Sequence, residues 1–334
     1  MHSKICFFIL FTLFIKINDI QAQKINGISF VASRDKVTQE HIDPVVKVAA
    51  NYAAVMPFGF IRALDNPNVI YGTKRQWQGE RREGAKVSIE LLQSNGIQVM
   101  LKPQIWISRG EYTGYLKMET EENWKILEDS YLEFILEYAK LAEETNVAIF
   151  SIGTELEQFV VNRPDYWIAL IKKVKSVYKG KLTYASNWDE YKRVPFWDEM
   201  DYVGVDAYFP LSEMQTPSVE NVIDGWRWWK GELSAFSKLH DKKILFTEWG
   251  YRSVDFTAKE PWTSDHSVTT VNLEAQANTT RATFDALWDE DWFAGGFIWK
   301  WFIHHSRSGG SDNNRFTPQN KPAEAVIKEY YEKN

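Results

Sequence analysis

Eight short apolar, β-rich runs, longer amphipathic stretches between most of them, and a length suited to one large domain predict a (β/α)8 barrel. The runs are Ile25–Ala32, Val55–Arg62, Ile97–Pro103, Val147–Ile152, Lys181–Ser186, Tyr202–Ala207, Lys243–Thr247 and Ala294–Trp301. Helix-like periodicity fills the segments near 38–53, 80–94, 121–145, 164–178, 218–240 and 271–288, with a last helix near 321–332. Ser94-Asn95-Gly96 supplies a C-cap and leads directly into the third run. Pro164 suits the first turn of the helix it opens. A doubly wound open sheet is the competing α/β arrangement. It would carry a Gly-rich phosphate loop after the first strand, and there Gly27 stands alone.

Composition narrows the class. The chain has 334 residues, 44% hydrophobic and 25% charged, a balance that excludes a disordered polymer. With 39 Lys+Arg against 45 Asp+Glu the formal net charge is −6, which argues against nucleic-acid binding. A single cysteine, Cys6, rules out a disulfide framework or a Cys-rich metal centre. Fifteen tryptophans exceed the usual demand of core packing, so their placement becomes informative.

Residues 1–22 read as a signal peptide: Lys4, an apolar stretch Ile5–Ile15, and Ala22 before a cleavage point. That stretch falls short of the roughly 20 residues a membrane-spanning helix needs. The expected mature chain is therefore residues 23–334, secreted or periplasmic, free of cysteine and with no membrane anchor after cleavage.

A barrel predicts chemistry at the C-terminal ends of its strands. There the runs end in Gly59-Phe-Ile-Arg62, Lys102-Pro103-Gln104-Ile-Trp106, Gly153-Thr154-Glu155, Asn187-Trp188, Asp206-Ala207-Tyr208, Thr247-Glu248-Trp249 and Trp299-Lys300-Trp301. Carboxylates at the fourth and seventh ends form the strongest signal. Glycoside hydrolysis needs such a pair, one as proton donor and one as nucleophile. Aromatic rings suit the apolar faces of sugars, while amide, Lys and Arg groups suit hydroxyls. Arg62, Trp106, Asn187, Trp188 and Asp206 are accordingly candidate substrate contacts, and Trp106, Trp188, Trp249 and Trp299 flank the pair. Asp206 competes with Glu248 as nucleophile, or serves as a structural acceptor. Glu157 more simply begins the next helix. Adjacent His304 and His305 lack a third ligand at suitable spacing, so no metal is expected and they rim the cleft. Trp226, Trp228 and Trp229 have helical spacing and are expected to pack. Asn278 fits a glycosylation signal only formally, inside a helix.

Gly153-Thr-Glu155-Leu, Val205-Asp-Ala-Tyr-Phe-Pro-Leu211 and Phe246-Thr-Glu248-Trp-Gly-Tyr251 together resemble glycoside hydrolase family 113, over essentially the whole mature chain. That family belongs to the retaining clan A of (β/α)8 enzymes and contains endo-β-1,4-mannanases. The resemblance implies Glu155 as acid/base, Glu248 as nucleophile, Lys102 and Trp299 as sugar contacts, and Tyr208 beside the nucleophile. It implies a β-linked oligo- or polysaccharide substrate and no cofactor. Two positions depart from the pattern: Thr154 stands where most clan A families have Asn, and Gln104 where the family pattern has His. The alternatives are a cellulase- or xylanase-like hydrolase, or a non-catalytic carbohydrate-binding barrel.

Overall fold

The computed structural model describes residues 23–264 and 268–333, so residues 1–22, expected to be a signal segment and containing Cys6, lie outside the described residues. The elements run β1 (Ile25–Phe30), α1 (Gln39–Lys47), β2 (Tyr52–Val55), β3 (Phe58–Ile61), α2 (Arg82–Ser94), β4 (Gln98–Leu101), β5 (Gln104–Ile107), α3 (Glu121–Glu144), β6 (Ile149–Thr154), α4 (Glu157–Asn162), α5 (Pro164–Val177), β7 (Lys181–Asn187), β8 (Tyr202–Asp206), α6 (Val219–His240), β9 (Lys243–Trp249), α7 (Leu273–Leu287), β10 (Phe293–Trp301) and α8 (Pro322–Lys333).

Eight strands close a parallel barrel in the order β1-β10-β9-β8-β7-β6-β4-β2. The fold is the (β/α)8 barrel. Its helices form where the sequence marks them. α3 opens at Thr120, whose side chain accepts from the Asn123 N–H. It buries Trp124, Leu127, Tyr131, Phe134, Ile135 and Tyr138, a three-and-four spacing that makes one apolar face. α2 ends at Ser94, and Gly96 takes φ +77° in the turn that follows. α4 does begin at Glu157.

The second run is corrected. Barrel strand β2 is Tyr52–Val55, starting in the last two residues of the segment expected to be helical and ending where the second run was expected to begin, and α1 stops at Lys47. Pro57 lacks a ladder donor and follows directly, so the chain leaves the barrel there. Phe58–Ile61 then pairs in parallel with Gln104–Ile107 as a separate two-stranded sheet outside the barrel. That outer sheet stands above the mouth on the β2/β4 side.

Candidate active site

Lys102 follows β4 and is fully buried. A buried ammonium needs anionic partners, and two strands supply them. Its Nζ lies 3.0 and 3.2 Å from the two oxygens of Asp206, at the end of β8, and 2.6 Å from Oε1 of Glu248, on β9. Thr247 donates to Asp206 Oδ1 at 2.7 Å. Burial alone would lower the Lys102 pKa, but the charges of Asp206 and Glu248 hold it above its usual value. Burial, then the charge of Glu248, pushes Asp206 up to about 7 against the pull of Lys102 and Thr247.

Glu248 is held by two further donors. Gln104 Nε2 donates to Oε1 at 2.9 Å, and the Tyr208 hydroxyl to Oε2 at 3.0 Å. Burial and the nearby carboxylates hold the Tyr208 pKa well above 10, so it remains a donor. Oε1 thus accepts two hydrogen bonds and Oε2 one. A carboxylate has about four lone-pair positions, so Oε2 keeps one free to face the cleft.

Glu155 is set differently. It stands one residue past β6 at φ +48°, in the left-handed region that costs a non-glycine residue about 1–2 kcal/mol. Two hydrogen bonds fix that backbone: Glu155 N–H to the Ala185 carbonyl at 2.8 Å, and Leu156 N–H to the Tyr184 hydroxyl at 2.7 Å. Its pKa is raised well above the usual carboxylate value by burial first, then by the charges of Asp206 and Glu248. Burial and those charges favour its protonated form.

Three expectations for substrate contacts are corrected. Lys102 and Asp206 are both fully buried beneath Glu248 and present no surface to a sugar, nor can Asp206 act as the nucleophile. Their charges neutralise one another in the barrel interior, so what reads as polar strand ends is the support of Glu248. Arg62 follows the outer strand β3 and is exposed, with no hydrogen bond or ion pair to the carboxylate cluster, because the segment carrying it left the barrel at Pro57. Trp249 is also corrected. Successive residues of a strand face opposite sides, so with Glu248 inward Trp249 packs outward, 5.1 Å from Phe284 and fully buried.

The remaining candidates ring the mouth. Trp106, half exposed, and Trp299 line a groove of about 680 Å³ together with Phe58, Phe60, Trp77 and Gln104. Gly250 makes room for this wall: a Cβ there would come within 2.5 Å of the Trp299 carbonyl oxygen. Asn187 donates from Nδ2 to the Tyr112 hydroxyl at 3.0 Å, and the charge of Glu155 bears on that Tyr112. Trp188 stacks on Trp262 with centroids 5.1 Å apart. Trp226 is buried as expected, but Trp228 is 59% exposed, edge-on to Trp229. His304 and His305 pair with Asp35 and Glu324, and no cluster fit for a metal occurs among the described residues. The residues that sequence reading missed are Tyr112, Tyr184, Glu190 and Thr247. Only Thr247, beside Glu248 on a strand, carried a positional signal.

The geometry has counterparts. The model of Glycoside Hydrolase Family 113 matches residues 32–321. A family 113 β-1,4-mannanase structure in complex form superimposes with a TM-score of 0.81 at 23% identity, covering 93% of this chain and 100% of that one. A family 113 β-mannanase from Alicyclobacillus acidocaldarius gives 0.80 at 25% identity, covering 93% and 97%. A β-glucuronidase from Faecalibacterium prausnitzii shares the barrel at a TM-score of 0.61 and 16% identity, with 91% of this chain covering 48% of that one. No curated protein matches the chain. With nearly the full barrel matched by the family model, the chain belongs to glycoside hydrolase family 113 and is a glycoside hydrolase.

Proposed function

We propose that this glycoside hydrolase is an exported, retaining endo-β-1,4-mannanase in which Glu248 is the nucleophile and Glu155 the acid/base. The observation that carries the reading is the contrast at the mouth: the Glu248 carboxylate oxygens accept from Lys102, Gln104 and Tyr208, while Glu155, near enough to feel that charge, has its pKa pushed up. Oε2 of Glu248 attacks the anomeric carbon, forming a C–O ester bond as the glycosidic C–O bond breaks. Glu155 gives its proton to the departing oxygen. In the second half Glu155, now a carboxylate, takes a proton from water as that water's oxygen bonds the anomeric carbon and releases Glu248.

The family and the mannanase relatives support mannan as the substrate. The groove of about 680 Å³ lined by Trp77, Trp106 and Trp299, with Gln104 of the Glu248 support in its wall, supports endo action because it offers stacking faces for several sugars. The signal-like segment 1–22 supports export. Incubation with soluble mannan, β-glucan and xylan tests the reading. Mannan should be cut to a ladder of oligosaccharides whose new reducing ends retain the β configuration. Preference for glucan or xylan would make it a different clan A hydrolase, and hydrolysis of none would leave only a binding barrel.

A further inference from the structure

One buried carboxyl has no part in the mechanism above. Glu190, in the loop after β7, is 1% exposed, and among the described residues no Lys, Arg or His pairs with it. An ion buried without a counter-charge is costly, so its two oxygens need explaining. Oε1 accepts from the Tyr184 hydroxyl at 2.7 Å, and Oε2 accepts from the Asn187 backbone N–H at 3.0 Å. Each bond leads to Glu155. The Tyr184 oxygen that donates to Glu190 accepts the Leu156 N–H at 2.7 Å, next to the left-handed backbone of Glu155. Asn187 in turn holds the Tyr112 hydroxyl at 3.0 Å, on the Glu155 side of the mouth. Tyr184 has no freedom of its own: its ring lies against Trp167 and Phe196, at 5.7 and 5.6 Å.

We propose that Glu190 is a positioning residue for the acid/base, clamping the Glu155 backbone through Tyr184 and Leu156 and the leaving-group side of the mouth through Asn187 and Tyr112. The proposal rests on the assignment of Glu155 as acid/base. Both oxygens of Glu190 must accept. A glutamine there keeps the size but offers only one acceptor, so Glu190→Gln breaks one arm, while Tyr184→Phe breaks the other. The charges of Asp206, Glu248, Lys102 and Glu190 itself bear on Glu155, and those of Glu157 and Asp206 on Glu190; Asp206 acts on both, through space and without a hydrogen bond to either.

The test compares substrates by leaving group. In Glu190→Gln, hydrolysis of the glycan, whose sugar leaving group needs protonation, should fall about tenfold in kcat with KM little changed. Hydrolysis of an activated aryl glycoside of the same sugar should change in kcat/KM by less than about threefold. In a Glu155→Ala background the Glu190→Gln change should add nothing to either substrate, because the two act as one unit. Tyr184→Phe should reproduce the split, and it serves in place of Glu190→Gln if that variant does not fold. Equal losses on both substrates, or a full additive loss in the Glu155→Ala background, would overturn the proposal. The wild-type enzyme is assayed alongside: if it cleaves another β-glycan, the mannanase reading fails while the substrate split, run on that glycan, still decides the role of Glu190.

Discussion

Glu248 sits in the extended register of β9 with three donors on its carboxylate, whereas Glu155 stands just past β6 on a left-handed backbone, with its constraint applied to main-chain N–H groups. On the proposed assignment the difference follows from what each must do. A nucleophile stays ionised and must point one lone pair at carbon, so fixed donors on its oxygens help. An acid/base gains and loses a proton each cycle, and donors on its oxygens would favour the charged form. Orientation must therefore come from the chain behind it. The proposed nucleophile and the proposed acid are thus distinguished by where their hydrogen bonds fall, on the carboxylate or on the backbone.

The comparison can be broken most severely at Glu248. Glu248→Ala should lower kcat on glycan by about 10⁴-fold or more. Azide should restore turnover and yield an inverted glycosyl azide, whereas full activity without azide would sink the nucleophile assignment. Next comes Glu155. Glu155→Ala should cost about 10²–10⁴-fold on glycan and far less on activated aryl glycosides. The pH profile gives the sign: if protonated Glu155 is the acid, kcat/KM of the wild type should fall as pH rises through that raised pKa. Glu155→Gln should lack this alkaline limb, and an unchanged limb would assign it to another group.

The support of Glu248 is tested by Lys102→Met. Two carboxylates then face each other in the barrel interior without a cation, and stability should drop by about 3–5 kcal/mol. A denaturation midpoint equal to wild type would show that the ion cluster does not bear on folding. The smallest effect is expected for Tyr208→Phe, which removes one hydrogen bond to a charged acceptor. A loss of about 1.5–3 kcal/mol, or some ten- to a hundredfold in kcat/KM, should follow, and a change under about twofold would show that Lys102 and Gln104 alone orient Glu248.

Much of this was written in the sequence, and for physical reasons. Glu155 and Glu248 end apolar strands, where a carboxylate has no packing role, so their position alone singled them out. Lys102 and Asp206 occupy equally polar strand ends, but sequence does not reveal whether such a side chain turns up to the cleft or down into the barrel. Here the two satisfy one another below it. The strand carrying Phe58–Ile61 is apolar because it packs on β5 and α3, and that pattern is indistinguishable from a barrel strand until Pro57 is weighed. Tyr112 and Glu190 lie in loops, where no periodicity marks a residue, and only their hydrogen-bond partners reveal them.

The outer sheet of β3 and β5 has one more consequence. It shares no ladder with the barrel, yet it supplies Phe58, Phe60 and Trp106 to the groove wall, and its first β5 residue, Gln104, touches Glu248. On the proposed function, chain-length preference would rest largely on this outer sheet and the chemistry on the barrel, with Gln104 touching both. Remodelling Phe60 and Trp106 offers a route to retune which oligomers this enzyme accepts while the catalytic scaffold stays untouched.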